Sequence, residues 1–182
     1  MPKDNPVFKF DAQSILQLQE EKLKVSPVSE SPRISGVYYR KLKTFYDDRG
    51  DLAELWSQPW GDTEPVAKDI AHVYFNTTHQ GITKGWHVHE RTFSQYTCVK
   101  GKMQIVLIDV RPKSETYLFV NQFIIGTNNP SFIKIPPGVL KGWKSLNKDS
   151  IIVNLLTSAD VNDNFKIDIT SLLPNIWLPQ DE

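Results

Sequence analysis

Gly81-Ile82-Thr83-Lys84-Gly85-Trp86-His87-Val88-His89-Glu90-Arg91-Thr92-Phe93-Ser94-Gln95-Tyr96-Thr97-Cys98-Val99-Lys100-Gly101 is the stretch whose reading decides the fold. His87 and His89 stand two apart, and in an extended chain such residues point to one face. Two imidazoles on one face of a sheet form either half of a metal site or an acid–base site. The glycines at 81 and 101 mark the turns that start and end a hairpin. Strands are expected over 93–99 and 103–110, on either side of Lys100-Gly101.

Outward from this stretch the chain alternates strand formers with turn residues. Residues 37–45 are rich in Val, Tyr, Thr and Phe, 47–50 (Asp-Asp-Arg-Gly) are a turn, and 52–56 resume the strand. Residues 60–64 read as a loop and 72–77 as a strand. Further strands are expected at 117–125, 132–135 and 151–156, separated by Gly, Pro and Asn clusters. Short strands at fairly even spacing predict an all-β barrel or sandwich. Before them, residues 11–25 read as a helix with a partial apolar face of Ile15, Leu16, Leu18 and Leu23, capped by Asp11 or Ser14 and stopped by Pro27. Residues 26–35, with two prolines among serines, read as a linker. The expected division is an N-terminal helix and linker arm over 1–35 and one folded domain over 36–182. In the tail, Leu172, Leu173, Ile176 and Trp177 are expected to pack back on the barrel.

The chain has 182 residues, enough for one domain with a sizeable core. Its 21 Lys plus Arg balance 21 Asp plus Glu, so no global charge attracts nucleic acid or an anionic membrane. A single cysteine, Cys98, excludes an internal disulfide and fits a reducing compartment. The N-terminus has no apolar signal core, and no apolar run is long enough to cross a bilayer. A cytoplasmic location is expected.

The pattern Gly81, five residues, His87-x-His89, then Gly101 resembles the first cupin motif. Ile135-Pro136-Pro137-Gly138 resembles the start of the second. The resemblance implies a cupin (double-stranded β-helix, jelly-roll) barrel with a small-molecule site in its mouth and inward-facing histidines. The cupin metal pattern also uses a Glu after the histidine pair and a His in the second motif; those places here are Ser94 and Lys141. Lysine repels a cation, so no metal and no cofactor are expected.

Five pieces in order resemble the dTDP-4-dehydrorhamnose 3,5-epimerase family of cupins. They are Asp48-Arg49-Gly50-Asp51-Leu52-Ala53-Glu54; Lys84-Gly85-Trp86-His87; Asp109-Val110-Arg111-Pro112-Lys113-Ser114-Glu115-Thr116; Ile135-Pro136-Pro137-Gly138 with Gly142-Trp143; and Trp177. The resemblance implies a nucleotide-sugar isomerase of deoxysugar or surface polysaccharide biosynthesis, acting on a dTDP-4-keto-6-deoxyhexose. His87 would remove a proton next to the ketone, a task for a base that titrates near neutrality. Arg49, Glu54 and Lys84 would hold the nucleotide, with Lys84 where the family has Arg. Trp143 could stack on base or sugar, and Arg111 is a further candidate contact. The resemblance also implies a homodimer with exchanged N-terminal strands. The chain departs from the family at three further places. Ser94 stands for the lysine that steadies the enolate, Ala159 or Asp160 for the tyrosine acid, and Lys141 for the second-motif His. Lys141, expected to point into the barrel mouth, could replace the missing lysine from the opposite wall. Asp168 is the candidate to orient His87.

His87-Val88-His89 also resembles the Gly-x-His-x-His stretch of dTDP-sugar 3,4-ketoisomerases, which pass protons through paired histidines. A third reading is a non-catalytic nucleotide-sugar-binding cupin. Plainer roles stand beside these. His72 and His79 read as hydrogen-bonded barrel residues, and Arg49 with Glu54 as a hairpin ion pair. Lys84 and Lys141 could be solvated charges, Arg111 and Ser114 turn formers, Trp86 and Trp143 packing residues, and Cys98 an inert core thiol.

Overall fold

A computed structural model describes residues 8–179. Two sheets face each other. Sheet one runs in the order β1-β9-β8-β11-β6-β13, and sheet two β2-β10-β7-β12-β5. In sheet one β1 is Lys24–Val28, β6 Thr83–Val88, β8 Lys102–Asp109, β9 Phe119–Gly126, β11 Val139–Ser145 and β13 Phe165–Lys166. In sheet two β2 is Tyr38–Lys41, β5 His72–Thr78, β7 Ser94–Lys100, β10 Ser131–Ile135 and β12 Ser150–Leu156. A separate hairpin joins β3 (Thr44–Asp47) to β4 (Gly50–Ala53) through the expected turn.

Side chains alternate across each strand and so sort into two apolar layers. Met103, Ile105 and Leu107 of β8 meet Phe123, Ile133, Tyr96, Cys98 and Ile152 between the sheets. Val106 and Ile108 point the other way, under Ile15, Leu23, Leu172 and Trp177. Being covered on both faces is why β8 carries the continuous apolar run Ile105-Val106-Leu107-Ile108. Leu172, Leu173, Ile176 and Trp177 do pack back as expected.

Three local expectations are corrected. The strands on either side of Gly101 do not form a hairpin: β7 lies in sheet two and β8 in sheet one, so the chain crosses the barrel there. Gly101 has φ +80, and a Cβ on it would strike Ser150, so only glycine makes this crossing without strain. The helix expected over 11–25 is one short turn, α1 (Ala12–Leu16), with Asp11 accepting from Gln13 N and Ser14 N at its cap. Lys24–Val28 instead runs parallel to β9, pairing Lys24 with Phe119 and Val25 with Val120. Edge position lets this strand carry Pro27, which lacks a donor; the register breaks between Val25 and Val28. The N-terminal stretch is thus woven into the barrel wall. Residues 60–64, read as a loop, contain a second short helix, α2 (Trp60–Thr63).

Candidate active site

β6 and β11 run antiparallel and place Lys141 directly across from His87. Lys141 shares its face of β11 with Val139 and Trp143, both in the layer between the sheets. Its side chain therefore points inward, and only 2% of the residue is exposed. The His87 ring stacks on Trp143 with centroids 5.5 Å apart and 16° between planes. Trp143 is held by its own Nε1–H, donated to Thr78 Oγ1 at 2.9 Å, and by the edge of Tyr96 at 5.8 Å. Close approach of β6 to β11 depends on Gly85, where a Cβ would stand 2.8 Å from Gly142 Cα.

His89 follows directly after β6 and is buried. Its carbonyl accepts from Gly138 N at 2.8 Å, which ties it to the start of β11. Its Nδ1 has no hydrogen-bond partner and lies 4.0 Å from Asp163 Oδ2. Asp163 ends a 3₁₀ turn, Val161–Asp163. Its carboxylate accepts from the backbone N–H groups of Glu90 (2.9 Å), Arg91 (3.2 Å) and Thr92 (2.9 Å), and from Thr92 Oγ1 at 2.5 Å. Burial opposes its charge, but these donors outweigh burial and hold the carboxyl below its usual range.

The electrostatics of the cluster follow from enclosure. Burial, reinforced by Lys141, Lys166 and Lys84, pushes His87 down to about 4, against a hydrogen bond with Asn164 that works the other way. Burial and Lys141 push His89 down to about 3, with Asp163 pulling upward. Burial pushes the Lys141 ammonium down to about 7, with Asp163 partly offsetting it. At neutral pH both imidazoles are therefore unprotonated bases beside a lysine that gives up its proton far more readily than an exposed one. Such a set can take a proton from carbon and steady the oxyanion left behind.

The other candidate residues are placed differently. Lys84 donates from Nζ to Asn76 Oδ1 (2.8 Å) and Thr77 O (2.7 Å), latching β6 onto the edge strand of sheet two. Arg49 sits at the tip of the β3–β4 hairpin with an 85% exposed side chain, donating to Asp47 Oδ2 at 2.6 Å. Glu54 is exposed just after β4. Neither is brought into the histidine cluster of this chain. Arg111 grips both oxygens of buried Asp109 at 2.8 Å and donates to Ser35 O. Ser114 and Thr116 donate to the same carboxylate at 2.6 and 2.7 Å. The Asp-x-Arg-x-x-Ser-x-Thr piece is thus an internal turn clamp, which agrees with the turn-forming alternative for Arg111 and Ser114. Asp168 caps Thr170 N at the surface and does not orient His87; Asp160 pairs with Arg91. Asp163 was missed by the sequence reading. It sits in an irregular Ala-Asp-Val-Asn-Asp-Asn run where no periodicity singles out one carboxylate. Among the described residues no three His, Cys, Asp or Glu side chains cluster as a metal site.

Comparison with known proteins bears on this geometry. The profile of the dTDP-4-dehydrorhamnose 3,5-epimerase family matches residues 31–175. The chain is 30% identical over 129 residues to the probable low-salt glycan biosynthesis epimerase Agl13 of Haloferax volcanii, covering 70% of this chain and 81% of that protein. It is also 30% identical over 129 residues to the spore coat polysaccharide biosynthesis protein SpsL of Bacillus subtilis, covering 71% and 83%. The structure of ChmJ, a 3'-monoepimerase from Streptomyces bikiniensis in complex with dTDP-quinovose, superposes with a TM-score of 0.73 at 19% identity, over 85% of this chain and 83% of that one. The two-sheet barrel is therefore the jelly-roll cupin fold of these epimerases. With inward histidines on the first cupin motif and a match over most of its length, the chain belongs to the dTDP-4-dehydrorhamnose 3,5-epimerase family, a family of isomerases.

Proposed function

We propose that this protein isomerises a dTDP-4-keto-6-deoxyhexose by histidine-mediated proton transfer next to the ketone, in the cytoplasmic synthesis of a surface polysaccharide. The observation that carries the reading is half-buried His87 set beside buried His89 and Lys141 on one inner wall. His87 takes the proton from the carbon beside the ketone. The electron pair moves onto the ketone oxygen as an enolate, and the Lys141 ammonium stabilises that charge in a site from which water is largely excluded. Lys141 thus does from β11 what Ser94 cannot do from β7. The polysaccharide setting rests on the two relatives named for glycan and spore coat synthesis.

We further assign the nucleotide end to Lys84, Trp143, Arg49 and Glu54, within a homodimer. Arg49 and Glu54 project from the exposed hairpin, so they serve a site only if the hairpin reaches a neighbouring barrel. A diphosphate would compete with Asn76 and Thr77 for the Lys84 ammonium.

The test is incubation with a dTDP-4-keto-6-deoxyhexose in deuterated water. Deuterium at C3 or C5 is expected, with exchange abolished in Lys141→Met and His87→Asn while dTDP still binds. Exchange at the wild-type rate in Lys141→Met makes the lysine a bystander. A relocated ketone with label retained at C3 favours the 3,4-ketoisomerase reading, which the second buried imidazole, His89, supports. Binding with no exchange by the wild type means a nucleotide-sugar binder.

A further inference from the structure

The short strand β13 lies along the outer side of β6 at the edge of sheet one. Its register sets Phe165 across from Val88 and Lys166 across from His87. Residues paired across antiparallel strands point to the same face. Phe165 packs with Val88 in the outer apolar layer. Lys166 therefore lies on the other face, with His87. Lys141 stands across from His87 on the opposite side, on β11. Lys141, His87 and Lys166 thus form one row across three strands.

The two ends of the row differ. Lys141 is enclosed, whereas Lys166 is exposed on the edge strand. Lys166 donates no hydrogen bond and makes no ion pair among the described residues. The carboxylates that precede and follow it in the chain are engaged elsewhere. Asp160 pairs with Arg91, Asp163 collects the N–H groups of residues 90–92, and Asp168 caps Thr170. The ammonium groups of Lys141, Lys166 and Lys84 all act against protonation of His87. A cation held beside a base in this way asks for an anionic ligand.

The row also has the length of a sugar. Neighbouring strands lie about 4.8 Å apart, so β11 to β13 spans about 10 Å. In a pyranose ring C1 and C4 stand at opposite ends. With the C4 ketone oxygen at Lys141, the hydrogens on C3 and C5 fall in the middle of the row, at His87. The oxygen on C1 then points towards β13, and the phosphate it carries reaches Lys166.

We propose that Lys166 binds the phosphate joined directly to the sugar, so that the row Lys141–His87–Lys166 fixes the sugar's direction, ketone inward and diphosphate at the rim. The proposal deepens the isomerase reading above and rests on it. Burial suits each end. A ketone is uncharged until its neighbouring proton leaves and can enter a dry interior, while a diphosphate keeps much of its hydration beside an exposed lysine. Lys84, across from Trp143 on the same face of β6, is the next cation along the diphosphate.

The test is calorimetric binding of dTDP and dTMP, which differ by the phosphate that would carry the sugar, to wild type, Lys166→Gln and Lys166→Arg. Lys166→Gln should weaken dTDP about tenfold, as expected for one lost charge-assisted contact, and leave dTMP within about twofold of wild type. Lys166→Arg keeps the cation and should recover most of the dTDP affinity. Wild-type affinity of Lys166→Gln for dTDP overturns the proposal. So does equal weakening of dTDP and dTMP, which marks a disturbed site and not a lost phosphate contact, and so does a Lys166→Arg variant as weak as Lys166→Gln. Absence of dTDP binding by the wild type overturns the nucleotide-sugar reading and this proposal with it; the other outcomes leave that reading standing.

Discussion

Lys141 and His87 face each other across one pair of strands, and the lysine's charge helps keep the imidazole unprotonated. Proton abstraction needs a neutral imidazole, and enolate stabilisation needs a charged ammonium. Falling pH protonates His87 near about 4, and rising pH discharges Lys141 near about 7. The pH profile of kcat/KM for proton exchange should therefore be bell-shaped, with its maximum between these values. In Lys141→Arg, which keeps a cation that does not discharge in this range, the alkaline limb should disappear from any residual activity. An alkaline limb unchanged in that variant would assign it to another group. The histidine pair was legible because a two-residue spacing defines a shared face whatever the register. Lys141 was legible only through its place in the second motif. A motif match does not reveal what a guanidinium is bonded to, and the pairing of Arg111 with Asp109 was not legible in the sequence.

The loop that carries His89 and Glu90 to Thr92 has no regular structure of its own. One carboxylate, Asp163, gathers its three consecutive N–H groups and the Thr92 hydroxyl. Asp163→Ala strands these donors and should lower stability by about 3 kcal/mol, read as a reduced urea midpoint with unchanged slope. Exchange activity should fall as His89 loses its neighbour. A midpoint equal to wild type would show that the loop is held elsewhere. At this scale the strands β5, β7, β8, β9, β10 and β12 could be read from β-branched and aromatic residues between turns. β11 could not, because Lys141-Gly142 interrupts its apolar pattern. β1 could not, because Pro27 and its exposed neighbours look like a linker until β9 supplies a partner. Tertiary pairing overrode the local helical preference there.

At the scale of the whole molecule, one sheet edge and one hairpin each carry several exposed large apolar side chains. Val73 and Phe75 point outward from β5, with Phe75 68% exposed, while Phe45, Tyr46 and Leu52 stand out on β3–β4. Large apolar side chains gathered this way mark an association surface. The proposed homodimer should give twice the chain mass by light scattering at micromolar concentration, and Phe75→Lys should shift it to monomer. A monomeric wild type would remove the route by which Arg49 and Glu54 reach a site. The parallel pairing of β1 with β9 also sets an order of events during synthesis. Lys24 leaves the ribosome early, yet its partner Phe119 does not exist until most of the chain has been made. The N-terminal strand must therefore wait, unpaired, and is added to a sheet whose β8–β9 hairpin can already have formed. The first strand in the sequence is among the last to find its place.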